Sequence, residues 1–205
     1  YEILTPISEG GKEELQMIER IGRVCYKSED KITEDGESAK KFVRMLINAH
    51  HEAMIEHSTL SVMFTVDRGV SHEMVRHRIA SFAQESTRYV NYSKDKYGSE
   101  INVIDLAPGI ALDRRMQDMP AETIEAILNE WELAMLDAEK HYMKMIELGA
   151  TAQIARSVLP NSTKTNITIT ANYREWRNYF RLRTASDAHP QIREVSVALL
   201  NELKE

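Results

Sequence analysis

Apolar residues recur along the chain at two different periods, and the changes of period mark out its elements. Leu15, Ile18, Ile21 and Cys25 fall at helical spacing and predict a helix over 12–27; Phe42, Val43, Leu46 and Ile47 predict another over 38–49. Leu60, Val62, Phe64 and Val66 then alternate with polar or smaller residues, the pattern of a half-buried strand. Gly69 and Ser71 come next, and Ser71 suits the N-cap of a helix running through Val75 into Arg78. The stretch 89–108 is rich in turn residues, with a strand expected at 101–106, and a short strand is expected at 1–4. Pro120 suits the first turn of a long helix with Ile124, Ile127, Leu128, Trp131, Met135, Ala138, Tyr142 and Met145 on one face, and Gly149 ends it. Thr151 suits the cap of a short helix through Val158, which Pro160 stops. β-branched residues alternate over 165–170 and predict a second strand. Asn172 suits the cap of a helix carrying Trp176, Tyr179 and Phe180, and Pro190 opens a last helix with Ile192, Val195, Leu199 and Leu203. Helices dominate and strands are few, so the expectation is one α+β domain over 1–205. Its small mixed or antiparallel sheet would be flanked by helices.

Composition narrows the class. A chain of 205 residues with 42% hydrophobic content can bury one sizeable core, and no repeat, low-complexity tract or linker divides it. No run approaches the ~18 apolar residues of a membrane span, and no signal-peptide pattern opens the chain. The single cysteine, Cys25, can form neither an internal disulfide nor a thiolate zinc cage, which fits a reducing cytoplasm. With Ile18 and Ile21 as its helical neighbours, Cys25 is expected to be a small core residue rather than a nucleophile. A net charge of −6 argues against a general nucleic-acid coat. The cations are nevertheless clustered: Arg76, Arg78 and Arg88 in one stretch, and Arg174, Arg177, Arg181, Arg183 and Arg193 in another. A locally basic pocket in an acidic protein suggests a small anionic ligand.

Several chemistries are missing from the sequence. It contains neither Gly-x-Gly-x-x-Gly nor Gly-x-x-x-x-Gly-Lys, so no Rossmann turn or P-loop is available, and it has no Gly-x-Ser-x-Gly elbow. His50, His51, Glu52, Glu56 and His57 resemble a metal cluster, but Ile55 stands where a zincin helix needs its second histidine. No Glu-x-x-His occurs, and no metal is expected. His72 and His141 read as structural or surface residues.

The densest group of functional side chains runs from Arg76 to Tyr89: Arg-His-Arg-Ile-Ala-Ser-Phe-Ala-Gln-Glu-Ser-Thr-Arg-Tyr. Guanidinium forks match phosphate oxygens, and hydroxyls add oriented donors. Met74, Val75, Ile79 and Phe82 flank these groups, so the stretch is expected to be partly buried and to face a phosphate-bearing ligand. The alternatives are a solvated basic face or a patch that binds RNA without catalysis, and the latter would need aromatic stacking residues on strands.

The stretch fits Arg-His-Arg-x-x-Ser-x-x-x-x-Ser-x-Arg at Arg76, His77, Arg78, Ser81, Ser86 and Arg88, and it resembles the signature of the flavin-dependent thymidylate synthases. The segment His51 to His57 resembles that family's upstream His-x-x-x-x-Glu-His. Ala155-Arg156-Ser157-Val158-Leu159-Pro160 and Asn172-x-Arg174-x-x-x-Asn178-x-x-x-x-Arg183 resemble its later ligand-binding segments. Ala53 stands where the family often has Ser or Thr, and Gln84 where some members have Glu.

The resemblance implies an α+β fold and a homotetramer with active sites at subunit interfaces. It also implies synthesis of thymidylate (dTMP) from deoxyuridylate (dUMP), with methylenetetrahydrofolate as carbon donor and NADPH reducing a bound FAD. By position it implies FAD contacts at His51, Arg76, His77, Arg78, Ile79, Gln84, Asn172, Arg174 and Asn178. It implies dUMP contacts at Glu73, Arg76, Gln84, Glu85, Ser86, Thr87, Arg88, Arg156 and Arg183. Arg88 is expected at the 5′-phosphate and Arg183 at the uracil ring as the activating cation. His51 and Tyr89 are expected beside the folate or the flavin ring. Ser86 is expected to be a ligand donor, because no base is placed to activate it. A flavoprotein oxidoreductase with another substrate would keep the FAD residues but would not need Arg88, Arg156 and Arg183 together.

Overall fold

The alternation of Leu60, Val62, Phe64 and Val66 forms a strand, β2 (Thr59–Asp67). It pairs antiparallel with β4 (Lys164–Asn172), which sets Leu60 opposite Ala171, Val62 opposite Ile169 and Phe64 opposite Ile167. A period of two puts these six side chains on one face, and each is at most 5% exposed. These strands are the centre of a computed structural model that describes residues 1–94 and 98–204. Two edge strands complete the sheet, β1 (Glu2–Ile3) beside β2 and β3 (Ala80–Gln84) beside β4. The order is β1-β2-β4-β3, and every pairing is antiparallel rather than mixed.

Helices α7 (Tyr173–Arg183) and α8 (Pro190–Glu202) close over the apolar face of the sheet with Trp176, Tyr179, Phe180, Ile192 and Leu199. Helices α1 (Lys12–Tyr26) and α2 (Glu37–Asn48) pack on each other around Ile18, Phe42, Val43 and Leu46, with Ile55 from a 3-10 turn at Glu52–His57. A Cβ at Gly22 would lie 2.5 Å from the Phe42 ring, so glycine is what permits this approach. The long helix α5 (Ala121–Glu147) lies outside these layers. Its predicted apolar face is the face turned inward, yet only Tyr142 is buried in it, against Tyr92, Ile101 and Ala155. The rest of that face is half-buried, and no helix among the described residues is long and apolar enough to cross a membrane.

Several expectations need correction. Ser71 does not cap a helix: Asp67, at the end of β2, accepts the Val70 N–H at 2.6 Å and caps α3 (Arg68–Met74). Ser71 lies inside α3, where its hydroxyl donates to the Arg68 carbonyl at 2.9 Å, and the helix ends before Arg78. Strand β3 had no sequence signal, because Ala80, Ser81 and Ala83 give it little apolar contrast. The strand expected at 101–106 is reduced to one bridge, Val103 to Thr163, with a short helix, α4 (Ala107–Leu112), directly after it. Part of the turn-rich stretch, 95–97, lies outside the described residues. Cys25 is exposed, not buried, because α1 turns Ile18, Glu19 and Gly22 inward and leaves Cys25 at the rim. Thr151 precedes α6 (Ala152–Ala155) but makes no side-chain cap.

Candidate active site

Asn172 ends β4 and caps α7, its Oδ1 accepting the Glu175 N–H at 2.9 Å. This fixes the first turn of α7 to the rigid end of a central strand, so Arg174, Glu175 and Asn178 emerge from a defined point. The 3-10 turn at Glu52–His57 packs beside it. Arg174 donates to Glu56 at 2.5 Å, and Arg177 reaches Glu52 at 3.4 Å. Arg174, Arg177, Glu52 and Glu56 line a cavity of about 490 Å³ together with Ile79, Asn172, Glu175 and Asn178. Four of the expected flavin residues therefore meet: Ile79, Asn172, Arg174 and Asn178.

Behind that cavity lies a network of charged and polar side chains. His77 is 5% exposed and Glu175 7% exposed, and their Nδ1 and Oε1 are 2.9 Å apart. Arg183 donates through Nε to His77 Nε2 at 3.0 Å. Its two terminal nitrogens donate to the Glu73 carboxylate at 2.6 Å and the Glu73 carbonyl at 2.9 Å. Asn178 adds a bond to Glu175 at 3.1 Å, so Glu175 joins the cavity wall to Arg183. Burial pushes the His77 pKa below its ordinary value, the Glu175 hydrogen bond opposes this, and the charge on Arg183 pushes it down further. A guanidinium has five N–H donors. Three serve His77 and Glu73, which leaves one N–H on each terminal nitrogen.

The other expected residues are placed less uniformly. Arg76 and Arg78 are exposed and Ile79 is 69% exposed, while the expected partial burial of this stretch falls on the flanking Met74, on His77 and Thr87, and on the half-buried Phe82 and Gln84 to Ser86. Gln84 turns inward, donating to Ser71 Oγ at 2.8 Å and to Thr165 at 3.3 Å. The Glu85 carboxylate accepts the Asn166 N–H at 3.2 Å. Ser86 Oγ accepts the Arg88 N–H at 3.3 Å and shapes the turn after β3, while Thr87 is buried beneath it. Arg88 is exposed, lies over the Tyr89 ring at 5.3 Å, and donates to Gln153 at 3.3 Å, in α6 just before Arg156. Among the described residues, no hydrogen bond or ion pair joins this third group to Glu73 and Arg183. His51 shares a 2.6 Å hydrogen bond with the Tyr26 hydroxyl. His141 is a surface residue 3.6 Å from Asp137, and His72 is exposed.

Two acids were not singled out from the sequence for the parts they play here. Glu52 pairs with the α7 arginines, and Glu175 holds His77. The position of Glu175, three residues after a capping Asn and three before Asn178, was a local signal that its side chain shares their face. Its partner lies 98 residues away and left no local signal.

Fold and site together define a small α+β domain with a cavity lined by paired arginines and glutamates and two asparagine amides. The chain belongs to the family described as thymidylate synthase complementing protein, whose model matches residues 9–205. It is similar to the flavin-dependent thymidylate synthase of Corynebacterium aurimucosum, with 31% identity over 205 residues, 97% of this chain and 79% of that protein. The protein of the same name from Mycobacteroides abscessus is 30% identical over 188 residues, 91% of this chain and 74% of the relative. That from Mycolicibacterium vanbaalenii is 31% identical over 195 residues, with the same 91% and 74% coverage.

Proposed function

We propose that this chain makes dTMP from dUMP by reductive methylation, with methylenetetrahydrofolate as carbon donor and NADPH-reduced FAD as hydride donor. The observation that carries this reading is the meeting of Ile79, Asn172, Arg174 and Asn178 around one cavity. From its wall, Glu175 leads through His77 to Arg183. The names of the relatives support the same activity.

The residues present fit FAD. The Arg174 guanidinium, on exchanging Glu56 for phosphate oxygens, and the Asn172 and Asn178 amides suit a pyrophosphate and polar ring edges, and exposed Ile79 offers an apolar surface to a flat ring. Arg76, Arg78 and His51 complete the flavin set in this reading, with Arg76 also near the nucleotide. When bound, FAD reduced by NADPH supplies the hydride chemistry. The protein's part is electrostatic and geometric. Arg183 presents its two remaining N–H groups to the uracil edge and stabilises negative charge developing at N3. Arg88, with Arg156 nearby and the Ser86 hydroxyl, suits the 5′-phosphate, while Glu73, Gln84, Glu85 and Thr87 shape the nucleotide site. The exposed Cys25 belongs to none of these groups, and the reading uses no thiol.

In this reading the site is completed by neighbouring copies in a homotetramer, with Arg88, which bonds Gln153, and Arg183, which bonds Glu73 and His77, serving it from different parts of the chain. The exposed Leu133 and Leu136 on the outer side of α5 support the same assembly. A single cysteine, left as a free thiol, supports a cytoplasmic enzyme.

The test incubates purified protein with FAD, dUMP, methylenetetrahydrofolate and NADPH. Bound yellow flavin after gel filtration and formation of dTMP are the expected results. Absence of bound flavin at saturating FAD overturns the reading, and flavin binding without dTMP returns the chain to another flavin oxidoreductase. For the shared site, Arg78→Ala and Arg174→Ala proteins mixed and reassembled should recover part of the activity that each lacks. A fully active monomer would rule the shared site out.

A further inference from the structure

We propose that Glu175 is a positioning residue for Arg183, acting through His77 held as a neutral imidazole with its proton on Nδ1. This rests on the proposed function in one respect, that Arg183 acts on the nucleotide ring. It also changes the part that the family resemblance gives His77, from a contact with the flavin to an internal support.

Hydrogen-bond chemistry alone selects the tautomer. A guanidinium nitrogen only donates, so the His77 Nε2 that faces Arg183 Nε at 3.0 Å must present its lone pair. The ring proton is then on Nδ1, which meets the Glu175 carboxylate at 2.9 Å. The opposite tautomer, or an imidazolium, would set N–H against N–H on one side. The groups facing the ring are Glu175, Tyr179 and Arg183, all from α7, and Glu73 from α3 is joined to the ring through Arg183. Burial and the Arg183 charge both disfavour the imidazolium, the same direction that the geometry requires.

Each member of the chain is held in turn. The Tyr179 ring lies 4.9 Å from the imidazole, centroid to centroid, and its hydroxyl is fastened to Ser196 at 2.9 Å. Glu175 is held by its backbone through the Asn172 cap and by its side chain through Asn178. Glu73 grips the far end of the guanidinium. With Nε anchored as well, the plane of the fork is fixed, and with it the remaining N–H on each of the two terminal nitrogens, before any ligand arrives. Removing the carboxylate of Glu175 frees the imidazole to turn, which releases Nε and lets the fork swing about Glu73. Both ring nitrogens of His77 are spent within the chain, which leaves the imidazole no polar atom for a cofactor.

Two measurements test this. The first is nitrogen NMR of the whole protein carrying ¹⁵N-histidine. One ring is expected as the Nδ1–H tautomer between about pH 6 and 8, and its signals should vanish in His77→Phe, which keeps a ring against Tyr179. An Nε2–H form or an imidazolium at His77 overturns the proposal. The second is steady-state dTMP formation by Glu175→Ala and Glu175→Gln. Glu175→Ala should lose about a hundredfold in kcat, with KM for dUMP changed less than about threefold. Glu175→Gln should recover much of this loss, because its amide oxygen still accepts from Nδ1. A folded Glu175→Ala with kcat near the wild-type value overturns the proposal, as does a Gln variant no better than Ala. If Glu175→Ala does not fold, the Gln variant decides: His77 should keep the Nδ1–H form there, and an Nε2–H form overturns the proposal. A wild-type protein that makes no dTMP refutes the proposed function instead, and the tautomer measurement still judges the Glu175–His77–Arg183 chain.

Discussion

Replacing Arg183 tests the site at its most connected point. The wild-type guanidinium makes three hydrogen bonds, at 3.0 Å to His77 Nε2, 2.6 Å to the Glu73 carboxylate and 2.9 Å to the Glu73 carbonyl. Arg183→Ala leaves the His77 acceptor, on a residue 5% exposed, without a donor. An orphaned buried acceptor costs about 1–3 kcal/mol. The Glu73 side chain is 36% exposed and rehydrates, so loss of its ion pair adds little. For a chain of this length each kcal/mol moves Tm by about 2–4 °C, which gives a fall of roughly 2–12 °C in a thermal melt. Turnover should fall much further. Loss of one preorganised donor aimed at developing charge costs about a hundredfold or more. Arg183→Lys restores a positive charge near Glu73 but not the planar fork, so its activity should return only in part. The assay compares dTMP formation at saturating dUMP with flavin reduction by NADPH in the same preparations. The dUMP-dependent step should fall far more than flavin reduction. Unchanged dTMP formation in Arg183→Ala removes Arg183 from the mechanism and leaves Arg156 as the next candidate. An unchanged melt would contradict the hydrogen-bond network itself.

Other contacts carry their own expected outcomes. Asn172→Ala removes the cap of α7 and should cost about 1 kcal/mol in denaturant unfolding, and FAD titration should show weaker binding. Cys25→Ala alters an exposed position and should change stability by no more than about 0.5 kcal/mol, with dTMP formation retained; total loss of turnover in a folded, flavin-bound variant would revive a thiol nucleophile. The folded-state pKa of His77 lies below its ordinary 6.5, so the unfolded chain takes up a proton that the folded chain does not. Its contribution is complete above about 6.5 and is lost as pH falls from there to the lower folded value. Melts recorded against pH should show this fall in the wild type and lack that component in His77→Phe.

The sequence by itself determined the central strands, the helices that cover them and the chemical character of the site. Alternation at Leu60, Val62, Phe64 and Val66 can bury one face only as a strand, and Asn172 ahead of Trp176 and Tyr179 is placed to cap the helix that carries them. Such signals lie within a few residues of one another, where the backbone's own periods act. Strand β3 was not legible, because small residues such as Ala80 and Ala83 owe their strand geometry to pairing with β4. Cys25 lies at helical spacing from Ile18, yet the way α1 is turned against α2 leaves it in solvent. The signature likewise gave the donors but not their directions. Arg76, His77 and Arg78 are adjacent in sequence, but α3 ends at Met74, and the segment beyond it turns His77 inward and leaves both arginines outside. What His77 meets there is decided by α7, with Glu175 at a separation of 98 residues and Arg183 at 106. A contact over that distance depends on how sheet and helix pack as bodies, and no pattern within either segment encodes it.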